Sequence, residues 1–297
     1  MRRARKQLFQ RMISLTSPDD IIGNTGDRMK YGNKDHTFVI CAYKESPYLE
    51  DCIRSVTGQT VCSSVMIVTS TPNTFIQKTA EKYQIPLICN HGEAGIAGDW
   101  NFAIETAKTP LVTIAHQDDI YGRHYLEAVL QTASFCSHPL ILFTDYDELR
   151  DGKIVRGNRL LRVKRLMLSP LKVKACRRSI WVRRRILSMG SAICCPSVTI
   201  VKKNVSLPVF ENNMKSNIDW QAWEKLSHEK GEFAYIPSAL MLHRIHRDST
   251  TSQLLEKDQR RVEDLYMYRK FWPEWIAGII EHFYQSAEKS NGINGKL

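Results

Sequence analysis

Two adjacent carboxylates follow a short, mostly apolar run near the middle of the chain. The tetrapeptide His116-Gln117-Asp118-Asp119 comes directly after Leu111 to Ala115, a run of strand length. Adjacent carboxylates at the end of a buried strand repel each other, and burying them is costly unless a cation shares them. Oxygen ligands beside a phosphate-bearing substrate suit Mg2+ or Mn2+. The pattern predicts a metal or nucleotide site, whereas the alternative, a helix N-cap, would need only Asp119.

Two segments in the last third of the chain carry further reactive groups. Asp219 opens the predicted helix from Ile218 to Lys230, where it is either an N-cap or a general base. The residues from His243 to Thr250 gather imidazole, guanidinium and hydroxyl groups, which suit phosphate oxygens or a metal. Two histidines three residues apart are equally typical of a polar surface. Neither segment is decisive by itself.

Glycine-based phosphate loops are absent from the expected places. The first predicted strand runs into Ala42-Tyr43-Lys44-Glu45 without a glycine, and the chain has no GxxxxGK[ST] sequence. These absences disfavour a dinucleotide-dependent dehydrogenase and a P-loop kinase. The glycines between Gly92 and Gly98 suit either a phosphate approach at a helix start or a flexible loop.

Apolar runs of strand length alternate with helical spacing over the first half of the chain. The predicted strands are Thr37 to Tyr43, Val65 to Thr69, Pro86 to Cys89, Leu111 to Ala115 and Leu140 to Thr144. This alternation predicts an α/β fold with a mainly parallel sheet covered on both faces, and ligands beyond the carboxyl ends of its strands. Further on, we expect a buried strand region at Met189 to Val201, an extended segment at Ala234 to Leu242, and one or two helices broken near Pro273.

The overall composition excludes several classes of protein. The chain has 297 residues, of which 43% are hydrophobic and 25% charged, a mixture unlike that of disordered, collagenous or coiled-coil proteins. Its longest apolar stretch, Met189 to Val201, is shorter than the roughly 20 residues that span a bilayer. The N-terminus lacks the apolar region of a secretory signal, so we expect a cytoplasmic protein. The eight cysteines show no Cys-x-x-Cys pair and are interpreted as small core residues.

The positive charge is concentrated in one segment. Residues 152–210 contain 15 Lys and Arg and no Asp or Glu, so 27 bases face 31 acids elsewhere, although the whole chain carries a formal charge of +11. Bases interleaved with apolar residues suit an anionic membrane surface or a polyanion such as RNA, and the alternative is a solvated pair of basic helices. The residues expected to face a membrane or an acceptor are Arg177, Arg178, Arg183, Arg184 and Arg185.

Five motifs, taken in order, resemble those of one enzyme family. The first strand ends in Tyr43 and a polar pair, and the next helix finishes with Ser55-Val56 and Gln59-Thr60. There follow Gly98-Asp99-Trp100-Asn101, the aspartate segment after His116, Ile218-Asp219-Trp220 with Trp223, and finally Arg244-Ile245-His246 with Ser249. Over about Thr37 to Ser252 the chain resembles the family 2 glycosyltransferases, which have the Rossmann-like glycosyltransferase A fold.

The resemblance implies an inverting transfer of a sugar from a nucleotide diphosphate to an acceptor hydroxyl. Asp219 would be the base that deprotonates the acceptor, while Asp118 and Asp119 would hold the ribose and a divalent cation, Mg2+ or Mn2+. His246 would bind near the diphosphate or the metal. The residues implied at the nucleotide sugar are Ala42, Tyr43, Glu45, Asn101, Asp118 and His246.

The resemblance also implies a division of the chain. Residues 35–252 would form the glycosyltransferase A-type domain, with the basic segment 152–210 on its acceptor side. Residues 1–34 would be a basic, loosely ordered extension, and 253–297 a helical one. Together with the basic segment, this predicts a peripheral enzyme at the cytosolic face of the cell membrane, acting on a glycan or lipid-linked acceptor in cell-surface glycan biosynthesis.

Three positions depart from the family pattern. The second strand ends in Thr69-Ser70-Thr71 where paired Asp is common, so the nucleotide base stays open. His116 replaces the usual first Asp of the aspartate motif, and Trp100 stands where a basic residue is usual.

Two other function classes stay open at this level. A metal-dependent phosphohydrolase would use Asp118, Asp119 and His246 and would release phosphate without an acceptor. A nucleic-acid-binding protein would use the basic segment. Trp181 is the one obvious stacking residue there, whereas single-strand binders interleave several aromatic residues.

Overall fold

Strands and helices alternate along the first half of the chain, as the apolar pattern predicts. The structure, a computed structural model, describes residues 30–246 and 257–282, with side chains in the second range from residue 260 onward. Its strands are β1 (His36–Cys41), β2 (Ser64–Thr69), β3 (Leu87–Cys89), β4 (Leu111–His116), β5 (Ile120–Tyr121), β6 (Pro139–Arg150), β7 (Lys153–Val155), β8 (Val198–Val201) and β9 (Glu232–Ile245). Its helices are α1 (Leu49–Thr57), α2 (Thr74–Tyr83), α3 (Ile96–Thr106), α4 (Tyr125–Phe135), α5 (Arg159–Leu168), α6 (Lys174–Arg178), α7 (Ile180–Leu187), α8 (Ile218–Ser227), α9 (Lys257–Arg269) and α10 (274–282).

One sheet runs through the described part of the chain. Its strand order is β3-β2-β1-β4-β8-β6-β9-β5, and β7 pairs with β6. The half formed by β3, β2, β1 and β4 is parallel. In the other half β8 lies antiparallel between β4 and β6, while β9 runs parallel to β6. The prediction of an α/β fold with a mainly parallel sheet is therefore confirmed.

Side chains of the central strands alternate between two hydrophobic clusters. In β1, Phe38 and Ile40 enter one cluster and Val39 enters the other. In β6, Leu142 separates in the same way from Ile141 and Phe143. Because both faces of each strand are buried, the strands read as unbroken apolar runs in the sequence.

The strands of the second half are longer than predicted. Strand β6 continues past Thr144 to Arg150 because it pairs with β9 over that whole length. The extension contains Asp145 and Asp147, which interrupt the apolar run by which the strand would be recognised in the sequence. Arg165 bonds to both carboxylates and so makes their burial tolerable. Conversely, the strand expected over Met189 to Val201 is limited to β8.

The basic segment forms the helices α5, α6 and α7. Two of them begin with capping side chains: Asn158 accepts a hydrogen bond from the Leu161 amide, and Ser179 accepts one from the Val182 amide. Leu161 and Leu168 bury the inner face of α5, and Leu187 does so for α7.

The C-terminal helices pack on the same molecule. The break at Pro273 is confirmed, since α9 ends at Arg269 and α10 starts at residue 274. Tyr268 is buried with its ring 5.2 Å from that of Trp220. The Trp272 indole donates to the Ser188 carbonyl at 2.8 Å.

Some predictions concern residues outside the described ranges. These are the loose order of the N-terminal extension up to residue 29, the contribution of Ser249, and the end of the C-terminal extension after residue 282. All eight cysteines lie inside the ranges and have free thiols. Across residues 30–246 and 257–282, no helix is both long enough and apolar enough to cross a bilayer.

Candidate active site

The polar residues singled out in the sequence meet at the carboxyl ends of β1 and β4 and at the end of β9. Cys41 of β1 is in register with His116 of β4, so the loops that follow these strands lie side by side. Short strand β5 then pairs antiparallel with β9, with Ile120 opposite Leu242. That pairing brings the histidines after Leu242 to the aspartates before Ile120.

Asp119 is fully buried and fastens β9 to this loop. Its Oδ1 accepts a hydrogen bond from the Arg244 main-chain amide at 2.8 Å and lies 3.0 Å from Nδ1 of His243. Burial lowers the pKa of His243, but the attraction of Asp119 outweighs it and leaves that pKa above its ordinary value. The N-cap alternative is wrong, since α4 begins at Tyr125 with His124 in the capping position.

Asp118 points to a different partner. Its side chain is 22% exposed, and its Oδ2 lies 3.0 Å from Nε2 of His246. Burial raises the pKa of Asp118, but the hydrogen bond with His246 and the nearby His116 and His243 bring it below its ordinary value. The loop thus presents an ionised carboxylate beside an imidazole.

Arg244 holds the end of β9 against α1. Its Nε donates to the Asp118 carbonyl at 2.8 Å, and its guanidinium lies 4.1 Å from the centre of the Tyr48 ring. The same ring lies 5.0 Å from that of His246. These contacts orient His246 toward Asp118.

Asp118 and His246 are the two predicted metal ligands that lie together. Among the described residues, no three His, Cys, Asp or Glu side chains form a group that could hold a metal by themselves. Mg2+ and Mn2+ commonly take one or two protein carboxylates and fill their remaining positions with substrate phosphates and water. The donor set of Asp118 and His246 fits a divalent ion of that kind, whereas Asp119 faces the Arg244 amide and His243.

The loop after β1 is held from both sides. The Gln117 side-chain amide exchanges two hydrogen bonds with the main chain of Tyr43, at 3.0 and 2.9 Å. Lys44 has a φ of +53° and donates its amide to the Thr71 hydroxyl at 2.8 Å. Tyr43 and Glu45 are exposed at the mouth of the site, while the Ala42 side chain is buried in the core beneath them.

A carboxylate that the sequence analysis did not single out lies beside the end of β2. Asp99 of α3 accepts a hydrogen bond from the Ser70 hydroxyl at 2.7 Å and another from the Asn90 amide at 2.8 Å. This carboxylate therefore lies where the family pattern has paired Asp at the end of the second strand. The Gly98-Asp99 pair belongs to the second of the five motifs, but the contact of Asp99 with Ser70 is visible only in the fold.

Gly98 makes room for the chain itself. A Cβ at this position would lie 2.1 Å from the Glu93 carbonyl oxygen, so the loop before α3 folds directly onto it. A close main-chain approach thus accounts for this glycine.

Trp100 and Asn101 support the floor and wall of the site. The Trp100 ring stacks on that of His116, with centroids 5.0 Å apart and an interplanar angle of 17°. Asn101 exchanges two hydrogen bonds with the main chain of Phe210, at 2.7 and 3.0 Å. Burial lowers the pKa of His116, which favours its neutral form against the indole.

Asp219 lies on the first turn of α8 and is half-buried. The N-cap of α8 is Asn217, so the capping role considered for Asp219 is wrong. Its Oδ1 accepts a hydrogen bond from the Trp220 amide at 2.8 Å. Burial raises the pKa of this carboxyl, while Lys164 and His243 act to lower it. His243 thus connects Asp219 electrostatically with the aspartates after β4.

A comparison with family models identifies the family of this chain. The chain matches a family model described as "Glycosyltransferase like family 2" over residues 34–263. The chain belongs to the family 2 glycosyltransferases. The comparison with curated proteins found no match.

Solved structures of other glycosyltransferases share the fold. TarS 1–349 of S. aureus in complex with UDP-GlcNAc has a TM-score of 0.57 at 15% identity, with 89% of this chain and 76% of that chain covered. The mannosyltransferase PcManGT of Pyrobaculum calidifontis, with GDP-Man and Mn2+, has a TM-score of 0.57 at 12% identity and coverages of 94% and 77%. Glucosyl-3-phosphoglycerate synthase of Mycobacterium tuberculosis, with Mn2+ and UDP-Glc, has a TM-score of 0.52 at 11% identity and coverages of 81% and 80%. The glycosyltransferase A fold is thereby shown for this enzyme.

Two predicted surface cations of the glycosyltransferase are buried or paired in its interior. Arg183 is fully buried with its guanidinium 5.0 Å from the centre of the Phe233 ring, and its Nη2 donates to the Glu229 carbonyl. Burial lowers the pKa of Arg183 to about 10. Arg184 pairs with Glu224 at 2.6 Å. The prediction that Arg183 faces a membrane or acceptor is wrong because its side chain is buried. Arg184 is partly exposed, and its role stays a prediction.

The other three predicted cations lie nearer the surface of the enzyme. Arg177 donates its Nε to the Leu171 carbonyl at 2.9 Å, and Arg178 pairs with Glu232 at 3.2 Å. Arg185 is exposed between the rings of Trp181 and Trp272, with its guanidinium 5.6 and 4.5 Å from their centres.

Acids outside the basic segment neutralise part of its charge. Besides Arg178 and Arg184, Arg165 pairs with Asp145 and Asp147, and Arg156 lies 3.7 Å from Asp147. The segment contains no acid of its own, so these partners come from positions outside it in the sequence.

Lys164 lies on the inner side of the basic segment, toward Asp219 and His243. Its Nζ donates to the Tyr146 hydroxyl at 3.0 Å, and its charge acts on both Asp219 and His243. Sequence analysis did not distinguish Lys164 from its basic neighbours. Lys164 follows buried Leu161 by three residues, so it lies on the inner face of α5. A helical wheel of the segment would have indicated this position.

Proposed function

We propose that this family 2 glycosyltransferase catalyses an inverting, metal-assisted transfer of a sugar from a nucleoside diphosphate to an acceptor hydroxyl. One observation carries the proposal. The pair Asp118 and His246 lies at the carboxyl edge of the sheet, and a separate carboxylate, Asp219, faces the same region through His243. In this proposal Asp118 and His246 serve the diphosphate, and Asp219, on a different element, serves as the general base.

The donor nucleotide is assigned to the edge formed by β1, β2 and α3. Tyr43 offers an exposed ring for a base, and Glu45 and Asp99 offer carboxylate acceptors for ribose or base donors. The solved neighbours are complexes with UDP-GlcNAc, GDP-Man and UDP-Glc. Uridine and guanosine diphosphates are accordingly the first nucleotides to test. The base stays open because Ser70 and Thr71 replace the family's paired Asp.

Asp118 and His246 would hold the divalent ion, Mg2+ or Mn2+. When bound, the ion supplies Lewis-acid stabilisation of the charge that develops on the leaving diphosphate. The proposal selects Asp118 over Asp119 as the direct ligand because Asp119 is engaged by the Arg244 amide. Two of the solved neighbours are complexes with Mn2+, which supports the choice of that ion for the first experiments.

Asp219 is assigned as the base. As the acceptor oxygen bonds to the anomeric carbon, its proton passes to Asp219, and the bond from that carbon to the diphosphate breaks. This single displacement inverts the anomeric configuration and releases a nucleoside diphosphate. Burial of Asp219 raises its pKa toward neutral pH, which suits a general base.

The acceptor side is assigned to the region between Asp219 and the basic segment. Lys164 and Tyr146 offer a cation and a hydroxyl there. These groups suit a glycan or lipid-linked acceptor with an anionic group. We extend the proposal to an enzyme of cell-surface polysaccharide biosynthesis that works as a peripheral protein at the cytosolic face of the membrane.

Donor binding is tested by thermal unfolding with a panel of nucleoside diphosphates, each with and without Mn2+. A diphosphate at about 100 times its dissociation constant should stabilise the protein by roughly 2.7 kcal/mol, and the effect should require the metal. Asp118→Asn should abolish the stabilisation, whereas the matched change Asp35→Asn, remote from the cleft, should keep it.

The transfer step is tested with the corresponding nucleotide sugars. Asp219→Asn should bind the diphosphate normally and lose turnover by about 100- to 10,000-fold, as expected for a general base. Release of inorganic phosphate without acceptor, unchanged in Asp219→Asn, would instead identify a phosphohydrolase. A folded sample that none of the diphosphates stabilises would contradict the donor site.

A further inference from the structure

Exposed apolar side chains are concentrated in the basic segment. Seven of the 14 large apolar side chains exposed in the described ranges lie within residues 160–189. Leu166 is 73% exposed, Trp181 68% and Val173 57%. Isolated apolar residues are normal on protein surfaces, but a cluster of this kind marks an interaction site.

Helix α5 explains how this cluster is presented. At 100° per residue, Leu161 and Leu168 share its buried face with Lys164 and Arg165, which bond to Tyr146 and to the aspartates of β6. The opposite face carries Arg159, Arg162, Val163 and Leu166, all of which are exposed. One face of the helix therefore packs against the protein, and the other exposes cations and apolar groups.

The residues after α5 also expose cations and apolar groups. The turn Ser169–Lys172 leads to exposed Val173 and Lys174, and α7 follows with exposed Trp181 beside Arg185. We call this set the basic-apolar face; it consists of Arg159, Arg162, Val163, Leu166, Lys172, Val173, Lys174, Trp181 and Arg185. In the described part of the chain, no acidic side chain pairs with Arg159, Lys172 or Lys174.

We propose that the basic-apolar face docks the enzyme on an anionic bilayer, with Leu166, Val173 and Trp181 entering the interface and Arg159, Lys172 and Lys174 contacting lipid phosphates. Leu and Trp with interspersed Lys and Arg are the composition of interfacial segments. Single-stranded nucleic acid would favour several stacking rings, whereas the exposed groups of α5 are aliphatic. The surface differs from the one expected from sequence, because Arg183 and Arg184 are not part of it.

Docking by this face would place the acceptor side of the cleft near the bilayer. The outer face of α5 would meet lipid while its inner face holds Lys164 beside Tyr146 and within the field of Asp219. This consequence for a lipid-linked acceptor rests on the proposed function. Membrane binding itself is measured without donor or acceptor, so its failure and a failure of the transfer activity are distinguishable.

The test is flotation of the full chain with vesicles of phosphatidylcholine alone or with added phosphatidylglycerol, near physiological salt. We expect flotation with the anionic vesicles and little with the neutral ones. The triple variant Arg159→Glu, Lys172→Glu, Lys174→Glu should lower the partition coefficient by at least about 100-fold, since each basic residue near an anionic surface contributes roughly fivefold. The matched triple Lys34→Glu, Lys78→Glu, Lys108→Glu, also exposed and equal in charge, should float like the wild type.

The apolar contribution separates a bilayer from other polyanions. Leu166→Ser with Trp181→Ser should reduce flotation at least about tenfold, because each loses apolar area that the interface would bury. Phe135→Ser, a change at an equally exposed ring elsewhere, should have no effect. Thermal unfolding of each variant verifies that it is folded, which these exposed positions favour.

Three results would overturn the proposal. One is failure of the wild type to float with anionic vesicles. Another is equal flotation of the two charge-reversed triples. The third is binding of single-stranded RNA that is as tight as vesicle binding and unaffected by the Leu166 and Trp181 changes, which would identify a polyanion site.

Discussion

Asp118 and Asp119 are adjacent in sequence, yet the structure gives them different partners. Asp118 faces His246, while Asp119 is buried against the Arg244 amide and His243. Two histidines and one main-chain amide contact these carboxylates, and the side chain of Asp118 stays partly exposed. Electrostatic cost alone predicted that these aspartates need partners, but not which partner each would find.

The Asp219 carboxyl is the residue whose ionisation should control the reaction. Burial raises its pKa, and the nearby charge of Lys164 lowers it. Replacing Lys164 by Met should therefore raise the pKa of Asp219 further and move the acidic limb of the kcat profile to higher pH. The control is Lys172→Met, which removes a charge from the outer side of the same segment. Profiles of kcat against pH that coincide for wild type and Lys164→Met would contradict the assignment.

At the scale of elements, helix α8, which carries Asp219, is held by a helix that follows it in the chain. Glu263 of α9 accepts hydrogen bonds from the main-chain amides of Lys215, Ser216 and Asn217, at 2.9, 2.8 and 3.2 Å. These residues immediately precede α8, whose first turn carries Asp219. A carboxylate from α9 thus fixes the main chain that leads into α8, and the Ser216 hydroxyl donates to the same carboxylate.

Replacement of Glu263 by Gln should reduce both stability and turnover. Burial raises the pKa of Glu263, but its hydrogen bonds with Ser216 and the neighbouring amides outweigh that and lower it below its ordinary value. The stability that it contributes is therefore present above its unfolded-state pKa and is lost as the pH falls through the folded-state value. Glu263→Gln should cost about 1–3 kcal/mol at neutral pH and less in acid, measured by urea unfolding. Exposed Glu274→Gln is the control, and equal losses in both variants would exclude the role of Glu263.

At the scale of the whole molecule, the predicted boundary near residue 252 divides one packed body. Met267 and Tyr268 of α9 are fully buried, and Tyr268 packs on Trp220 of α8. The family model extends to residue 263, which already includes Glu263. The predicted helical extension, in its described part, thus contributes to the domain that holds the site.

A chain ending at residue 256 should accordingly be less stable than one ending at residue 282. Loss of the burial of Met267 and Tyr268 should cost about 3–6 kcal/mol, at roughly 1.5–3 kcal/mol for each large side chain. Urea unfolding of the two truncated chains measures the difference. Equal free energies of unfolding would show that residues after 256 form an independent extension.

Most strands in the first half of the chain could be predicted from the sequence because they are buried on both faces. Thr37 to Tyr43 and Leu111 to Ala115 are recognisable as strands without any knowledge of their neighbours, and the polar residues after them fall at the carboxyl edge as expected. The second half was less accessible. Asp145 and Asp147 disguise β6, since Arg165, which neutralises them, lies about 20 residues away.

The sequence by itself determined the α/β class, the family resemblance and the positions of Asp118, Asp219 and His246 in the chain. These depend on local periodicity and on motifs that are contiguous in sequence. Only the tertiary structure decided that Asp99 meets Ser70, that Lys164 bonds to Tyr146, and that Arg183 is buried while Trp181 is exposed. Each of those outcomes depends on contacts between residues that are distant in sequence. The local sequence around either residue does not indicate which partner it will meet.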